Sequence, residues 1–236
     1  MGKLYLGTQE VTPAIYDKAE SAGATREVDA NGKYGYPAQN FFSLPSNATD
    51  MGDYALYYTF QYRANLISVD LSSLTTVSGK YALGNAFYQC HNLTSVDLSS
   101  LTTVSGDHAL GSAFSNCHNL TSVNLSSLTT VSGNEALIRT FISCDSLVSV
   151  DFSSLTAVGY GALKYAFQSC ESLTSLSFPA LTASSFSYYT SQFDNMLNDC
   201  TGVTVHFPAV IKTTIENWSS VTNGFGGTNT TVLFDL

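Results

Sequence analysis

Apolar residues return along this chain in two alternating rhythms. In the first, Val69 and Leu71 alternate with polar Ser68 and Asp70 behind Leu66, the period of a short strand with one buried face. In the second, Leu83, Ala86, Phe87 and Cys90 stand at i, i+3, i+4 and i+7, which predicts one stripe of a short helix. The helix stripe recurs as Leu110, Ala113, Phe114, Cys117, as Leu137, Thr140, Phe141, Cys144, and as Leu163, Ala166, Phe167, Cys170. Copies of the whole unit begin at Leu66, Leu93, Leu120, Leu147, Leu173 and Val203, spaced by 27, 27, 27, 26 and 30 residues. Between the halves, LSSLTTVSG is written three times, at 71–79, 98–106 and 125–133.

A period of roughly 20–29 residues belongs to leucine-rich solenoids, in which each repeat meets only its neighbours and solves the same packing problem. The expected fold is therefore an α/β solenoid, a curved leucine-rich repeat of about six coils. Parallel strands sit about 4.8 Å apart and packed helices about 8–10 Å apart, so helices would splay. That places a parallel sheet on the concave face and short helices on the convex face. Three regions follow: a non-repeat N-terminal arm or small module at 1–40, the solenoid at 41–202, and a C-terminal cap at 203–236. The cap reading rests on a different stripe, Ile211, Ile215 and Trp218, followed by the strand-like TTVLFDL.

The unit Ala-Phe-x-x-Cys-x-x-Leu-x-Ser-Val-x-Leu, as in AFYQCHNLTSVDL at 86–98 and AFSNCHNLTSVNL at 113–125, resembles the BspA-type leucine-rich repeat of bacterial proteins. The likeness runs over roughly residues 54–208. Repeats of that family are usually shorter, and Pro commonly follows the strand; here only Pro179 and Pro208 do so, and Ser-Ser takes the place elsewhere. The resemblance implies recognition of a protein or cell surface rather than catalysis. The opening KLYLGTQEVTPAIY is similar to short N-terminal modules of phage tail-associated proteins, which implies an alternative role in structure or assembly with residues 1–40 as a docking arm.

Composition narrows the partners. Charged residues are 11% of 236, far below the roughly 25% of an average domain, so the surface is neutral and hydroxyl-rich. Net charge is −9 and no Lys/Arg cluster occurs, which argues against nucleic acid and against anionic membrane. No apolar run approaches the roughly 20 residues of a spanning helix, and the first 20 residues carry no continuous apolar stretch of a secretory signal, so no membrane insertion is expected.

Candidate chemistry is sparse. Cys90, Cys117, Cys144, Cys170 and Cys200 each fill the same slot of their own repeat, without Cys-x-x-Cys spacing, and read as buried core thiols rather than disulfides or metal ligands. The pairs Cys90–His91 and Cys117–His118 raise a shared-metal reading, but adjacent residues point in different directions. Asp70, Asp97, Asn124 and Asp151 form one column on the sheet, where like charges repel. They are either a solvated row or an alternative binding face. On helix geometry, the positions opposite the buried stripe bring out Tyr58, Tyr88, Arg139, Ile142 and Tyr165, the most varied column from repeat to repeat and the first-choice ligand-binding face. No nucleophile elbow, phosphate-binding loop or zinc-protease motif occurs, so no catalytic residue, metal or cofactor is assigned. The expected function is non-catalytic binding or adhesion to a protein or cell-surface glycan. The expected location is the cell surface or secreted, with virion-associated as the alternative.

Overall fold

A computed structural model describes residues 5–6, 9–10, 27–28, 34–35, 41–44, 46–185, 191–216 and 225–235. Within it the repeat folds as a parallel-sheet solenoid with little helix. Eight successive strands begin at Phe41, Ser68, Ser95, Ser122, Ser149, Ser175, Thr204 and Thr231, and so bound seven turns of the chain rather than six. The first five pair in parallel register, Ser68 against Ser95 and Ser95 against Ser122, and the last three form a continuing parallel sheet. Residues 204–234 thus still contribute two strands to the coil. There Ile211 is buried behind the short helix Lys212–Glu216, while Trp218 lies outside the described residues.

A second sheet runs beside the first, built from Asp50–Met51, Thr76–Val77, Thr103–Val104, Thr130–Val131 and Ala157–Val158. The nonapeptide now has a geometry. Leu71, Leu74 and Val77 point inward and are fully buried, turning the chain between the two sheets. A Cβ on Gly79, Gly106 or Gly133 would run into the backbone of the coil before it, so the closing glycine is the residue that lets successive coils approach.

The third side of each coil is where the expectation fails. In place of a convex helix, residues 79–90 and their equivalents form consecutive tight turns. Amides alternate in destination. Gly84 N–H and Ala86 N–H donate three residues back, to Tyr81 O and Leu83 O, each at 3.0 Å. Tyr81, Leu83, Asn85 and Phe87 donate instead to Asp107, Ala109, Gly111 and Ala113 of the next coil, at 2.7–3.0 Å. The physical reason is spacing. Helices pack about 8–10 Å apart, whereas two sheets in coil-to-coil register impose about 4.8 Å. Handing half the amides to the next coil satisfies the backbone at that smaller distance. The splay between helices and strands therefore does not arise, and with it goes the argument for a concave sheet face and a convex helical face.

The core is one continuous column. Phe60, Phe87, Phe114, Phe141 and Phe167 stack with centroids 5.3–5.8 Å apart and planes within 13°. All five cysteines are free and buried, and each Sγ–H donates to the carbonyl of a Phe in the preceding coil, as Cys117 to Phe87 O at 3.2 Å. Thr140, which stands beside this column, donates to Leu110 O at 2.9 Å. Of the N-terminal 40 residues, the described pieces are two antiparallel pairs, Tyr5–Leu6 with Gln9–Glu10 and Glu27–Val28 with Tyr34–Gly35; the rest of the expected arm lies outside the described residues.

Candidate binding surface

The turn side presents its side chains with a period of four. Outward residues adopt positive φ, as at Tyr81 (52°), Asn85 (52°) and Gln89 (59°), while Ala82, Leu83, Ala86, Phe87 and Cys90 between them are buried. Coil-to-coil register lines the outward residues into three columns. One runs Tyr54, Tyr81, His108, Glu135, Gly161; the second runs Tyr58, Asn85, Ser112, Arg139, Tyr165, Asn195; the third runs Tyr62, Gln89, Asn116, Ser143, Ser169, Asp199. Asn and Gly tolerate positive φ, but for a bulky residue it is a strained choice.

The first described coil nevertheless uses tyrosine at all three outward positions, with φ of 56°, 59° and 65° at Tyr54, Tyr58 and Tyr62. Neighbouring rings join them. Tyr54 stacks on Tyr81 at 5.5 Å, and Tyr81 on His108 at 4.8 Å with planes 3° apart. Tyr57 meets Tyr58 edge-to-face at 4.2 Å, and Tyr62 meets Tyr88 at 5.8 Å and 88°. Gly84 makes room for the Tyr57 ring. Burial, then the hydrogen bond with Tyr58, pushes the Tyr57 hydroxyl up to about 12. Lys80 lies 5.6 Å over the Tyr81 ring.

The residues singled out from sequence fall into three groups. Tyr58 and Tyr88 both join the tyrosine cluster. Arg139 and Tyr165 are successive members of the middle column, with the guanidinium 5.3 Å over the ring and Lys164 5.9 Å from the same ring. Ile142 belongs to another column, half-buried, next to Ser115, which is itself buried and donates to Arg139 O at 2.5 Å. Sequence reasoning missed Tyr54, Tyr57 and Tyr62, although the four-residue spacing of Tyr54, Tyr58 and Tyr62 was there to be seen.

On the strand side, Asp70, Asp97 and Asn124 line an open groove of about 570 Å³ with Ser95 and Phe41. Each member of the Asp column is engaged locally. Oδ1 of Asp70, Asp97, Asn124 and Asp151 accepts the backbone N–H two residues on, at 2.8–3.0 Å. Asn124 fits because the position needs an acceptor, not a charge. Ser72 Oγ and N–H, with Ser43 Oγ, hold the Asp70 carboxyl below its usual range. His91 and His118 stack at 4.9 Å, but His91 Nδ1 meets Asn116 O and His118 Nδ1 meets Asp145 Oδ2 at 2.8 Å, while the neighbouring thiols point inward. Among the described residues, no three His, Cys, Asp or Glu side chains are placed to hold a metal, and no helix is long and apolar enough to cross a membrane.

The sequence matches the BspA-type leucine-rich repeat region in six copies, over residues 34–136 and 84–213. The chain is similar to several solved structures, among them two leucine-rich proteins. A leucine-rich repeat protein of T. pallidum is 19% identical, covering 88% of this chain and 96% of that one with a TM-score of 0.42. A leucine-rich cell surface protein of Faecalibacterium prausnitzii A2-165 is 13% identical, covering 87% and 92% with a TM-score of 0.28. No curated protein matches this chain.

Proposed function

The chain belongs to the BspA-type leucine-rich repeat family, and on that premise we propose that it is a non-catalytic adhesion module that engages a protein or glycan at a cell or host surface. The observation that carries this reading is the uneven use of the outward columns. A solenoid needs nothing from these positions beyond a tolerable backbone; later coils mix Asn, Ser and Gly with His108, Glu135, Arg139 and Tyr165, and none of them places an aromatic ring at all three positions. The first coils instead spend strained positions on exposed rings, Tyr54 at 40% and Tyr62 at 60% exposure. Strained backbone positions collect at functional sites, and tyrosine is among the side chains that most often anchor an interface. The rigid backbone beneath lowers the entropy lost on binding.

The test is binding of the labelled full chain to intact bacterial and epithelial cells, beside a variant carrying Tyr54→Asn, Tyr58→Asn and Tyr62→Asn. Asparagine accepts the same backbone conformation, so the variant keeps its fold. Saturable binding lost in the variant supports the reading and its site. Saturable binding kept in the variant moves the site to the Asp/Ser groove. Absence of saturable binding to either cell type overturns the adhesive role.

A further inference from the structure

The tyrosine cluster also has a chemistry that narrows its ligand, an inference that rests on the binding role just proposed. Charged residues in segments 53–63 and 80–90 are Asp53, Arg63 and Lys80, a net of +1 against −9 for the chain, so neither a strongly acidic nor a strongly basic partner is favoured. Asp53 accepts the Lys80 backbone N–H at 2.7 Å, and the Lys80 ammonium sits near the Tyr81 ring, which ties two of the three charges into the surface itself.

The patch is built of rings and not of exposed aliphatic side chains. Among the described residues, the large exposed aliphatic side chains, Ile67, Val148, Val210 and Leu233, all lie outside segments 53–63 and 80–90. What surrounds the rings is amide and hydroxyl: Thr59, Gln61, Asn85 and Gln89 are half-buried among them, and Gln89 Nε2 already donates to the Tyr88 hydroxyl at 3.2 Å. The rings are oriented in two ways. Tyr54, Tyr81 and His108 stack face to face, so they present edges and polar atoms outward in a row that repeats every 4.8–5.5 Å. Tyr62 and Tyr88 meet edge-to-face, which occupies at most one face of one ring and leaves the most exposed phenol of the set open.

Ring faces that attract weakly positive C–H groups, beside uncharged donors and acceptors at fixed spacing, suit a pyranose: one side of the sugar is a patch of C–H bonds and its rim is hydroxyl. We propose that the surface formed by Tyr54, Tyr58, Tyr62, Tyr81 and Tyr88 binds an uncharged oligosaccharide, with a sugar ring laid on Tyr62 and its hydroxyls bonded by Gln89 and the neighbouring phenols.

The experiment titrates the full chain with cellohexaose, chitohexaose and mannohexaose. Sialyllactose and a heparin hexasaccharide serve as charged controls, and binding is read by calorimetry and saturation-transfer NMR. Saturable binding of at least one neutral hexasaccharide is expected, weakened about tenfold or more by Tyr62→Asn and unaffected by Val210→Asn, an exposed position outside the cluster. Binding of the charged sugars alone, or neutral binding unchanged by Tyr62→Asn, overturns the proposal. Failure of every sugar, together with cell binding that the tyrosine variant abolishes, overturns the glycan and leaves a protein ligand at the same site. Failure of both assays removes the binding role as well.

Discussion

Cys117 Sγ lies 3.2 Å from the carbonyl oxygen of Phe87, thirty residues earlier and one coil away. The same contact repeats at every cysteine, so the thiol ties successive coils through a group that looks, in sequence, like a plain apolar filler. Cys117→Ala removes the donor and leaves a small void, and should lower stability by about 1–3 kcal/mol in urea unfolding. Burial raises all five thiols above their ordinary value. At pH 8 none of them should react with a thiol reagent until the protein unfolds.

Gly106 should resist even the smallest enlargement. A methyl there meets the Gly79 carbonyl of the preceding coil, backbone that cannot step aside without opening the stack. Gly106→Ala should cost about 3 kcal/mol or more. Gly202, at φ +72° with nothing near its would-be Cβ, is the control; alanine there should cost only the strain of that backbone, about 1–2 kcal/mol. Equal losses at the two sites would deny the close approach.

The Asp column should behave as a row of acceptors. Asp97→Asn should leave thermal stability nearly unchanged, as Asn124 already performs the same task, whereas Asp97→Ala should lose about 1 kcal/mol.

Asp70 adds a pH dependence. Its folded-state carboxyl is held below the unfolded value by Ser72 and Ser43, so its contribution is present above about pH 4 and is lost as pH falls through the lowered value. Asp70→Asn should flatten the fall in stability below pH 4; an unchanged acid limb would show that these hydrogen bonds do not stabilise the charged form.

Arg139 and Tyr165 should couple. A double-mutant cycle with Arg139→Ala and Tyr165→Leu should return about 0.5–1 kcal/mol, the range of an exposed cation over a ring.

Much of this architecture was legible in the chain. The 27-residue period, the stacked Phe87 and Phe114, the inward Val69 and Val96 and the buried cysteines follow from self-alignment alone, because a solenoid repeats its core wherever it repeats its coil. The second sheet was less visible. Thr76–Val77 is a two-residue strand, too short to show an alternation, and it exists because Asp50–Met51 and Thr103–Val104 lie on either side of it.

The binding surface was legible in part. Tyr58 and Tyr88 emerged as candidates, but their gathering with Tyr54, Tyr62 and Tyr81 depends on contacts between coils, about 27 residues apart in sequence. The Asp column was read as charge on a sheet. Its hydrogen bonds to Ser72 and Ser99 show instead a turn-closing acceptor, a distinction that needs the direction of one side chain.

Sequence by itself determined the repeat, the inward residues and the glycine at each corner, since these depend on period and side-chain size. Tertiary structure decided what the third side of the coil is. Leu83, Ala86, Phe87 and Cys90 fit a helix of period 3.6 and a run of turns of period four equally well over so short a segment. The choice falls to where each amide finds its carbonyl. With two sheets holding the coils one strand-spacing apart, Leu83 and Phe87 find theirs at Ala109 and Ala113 of the next coil, and the helix does not form.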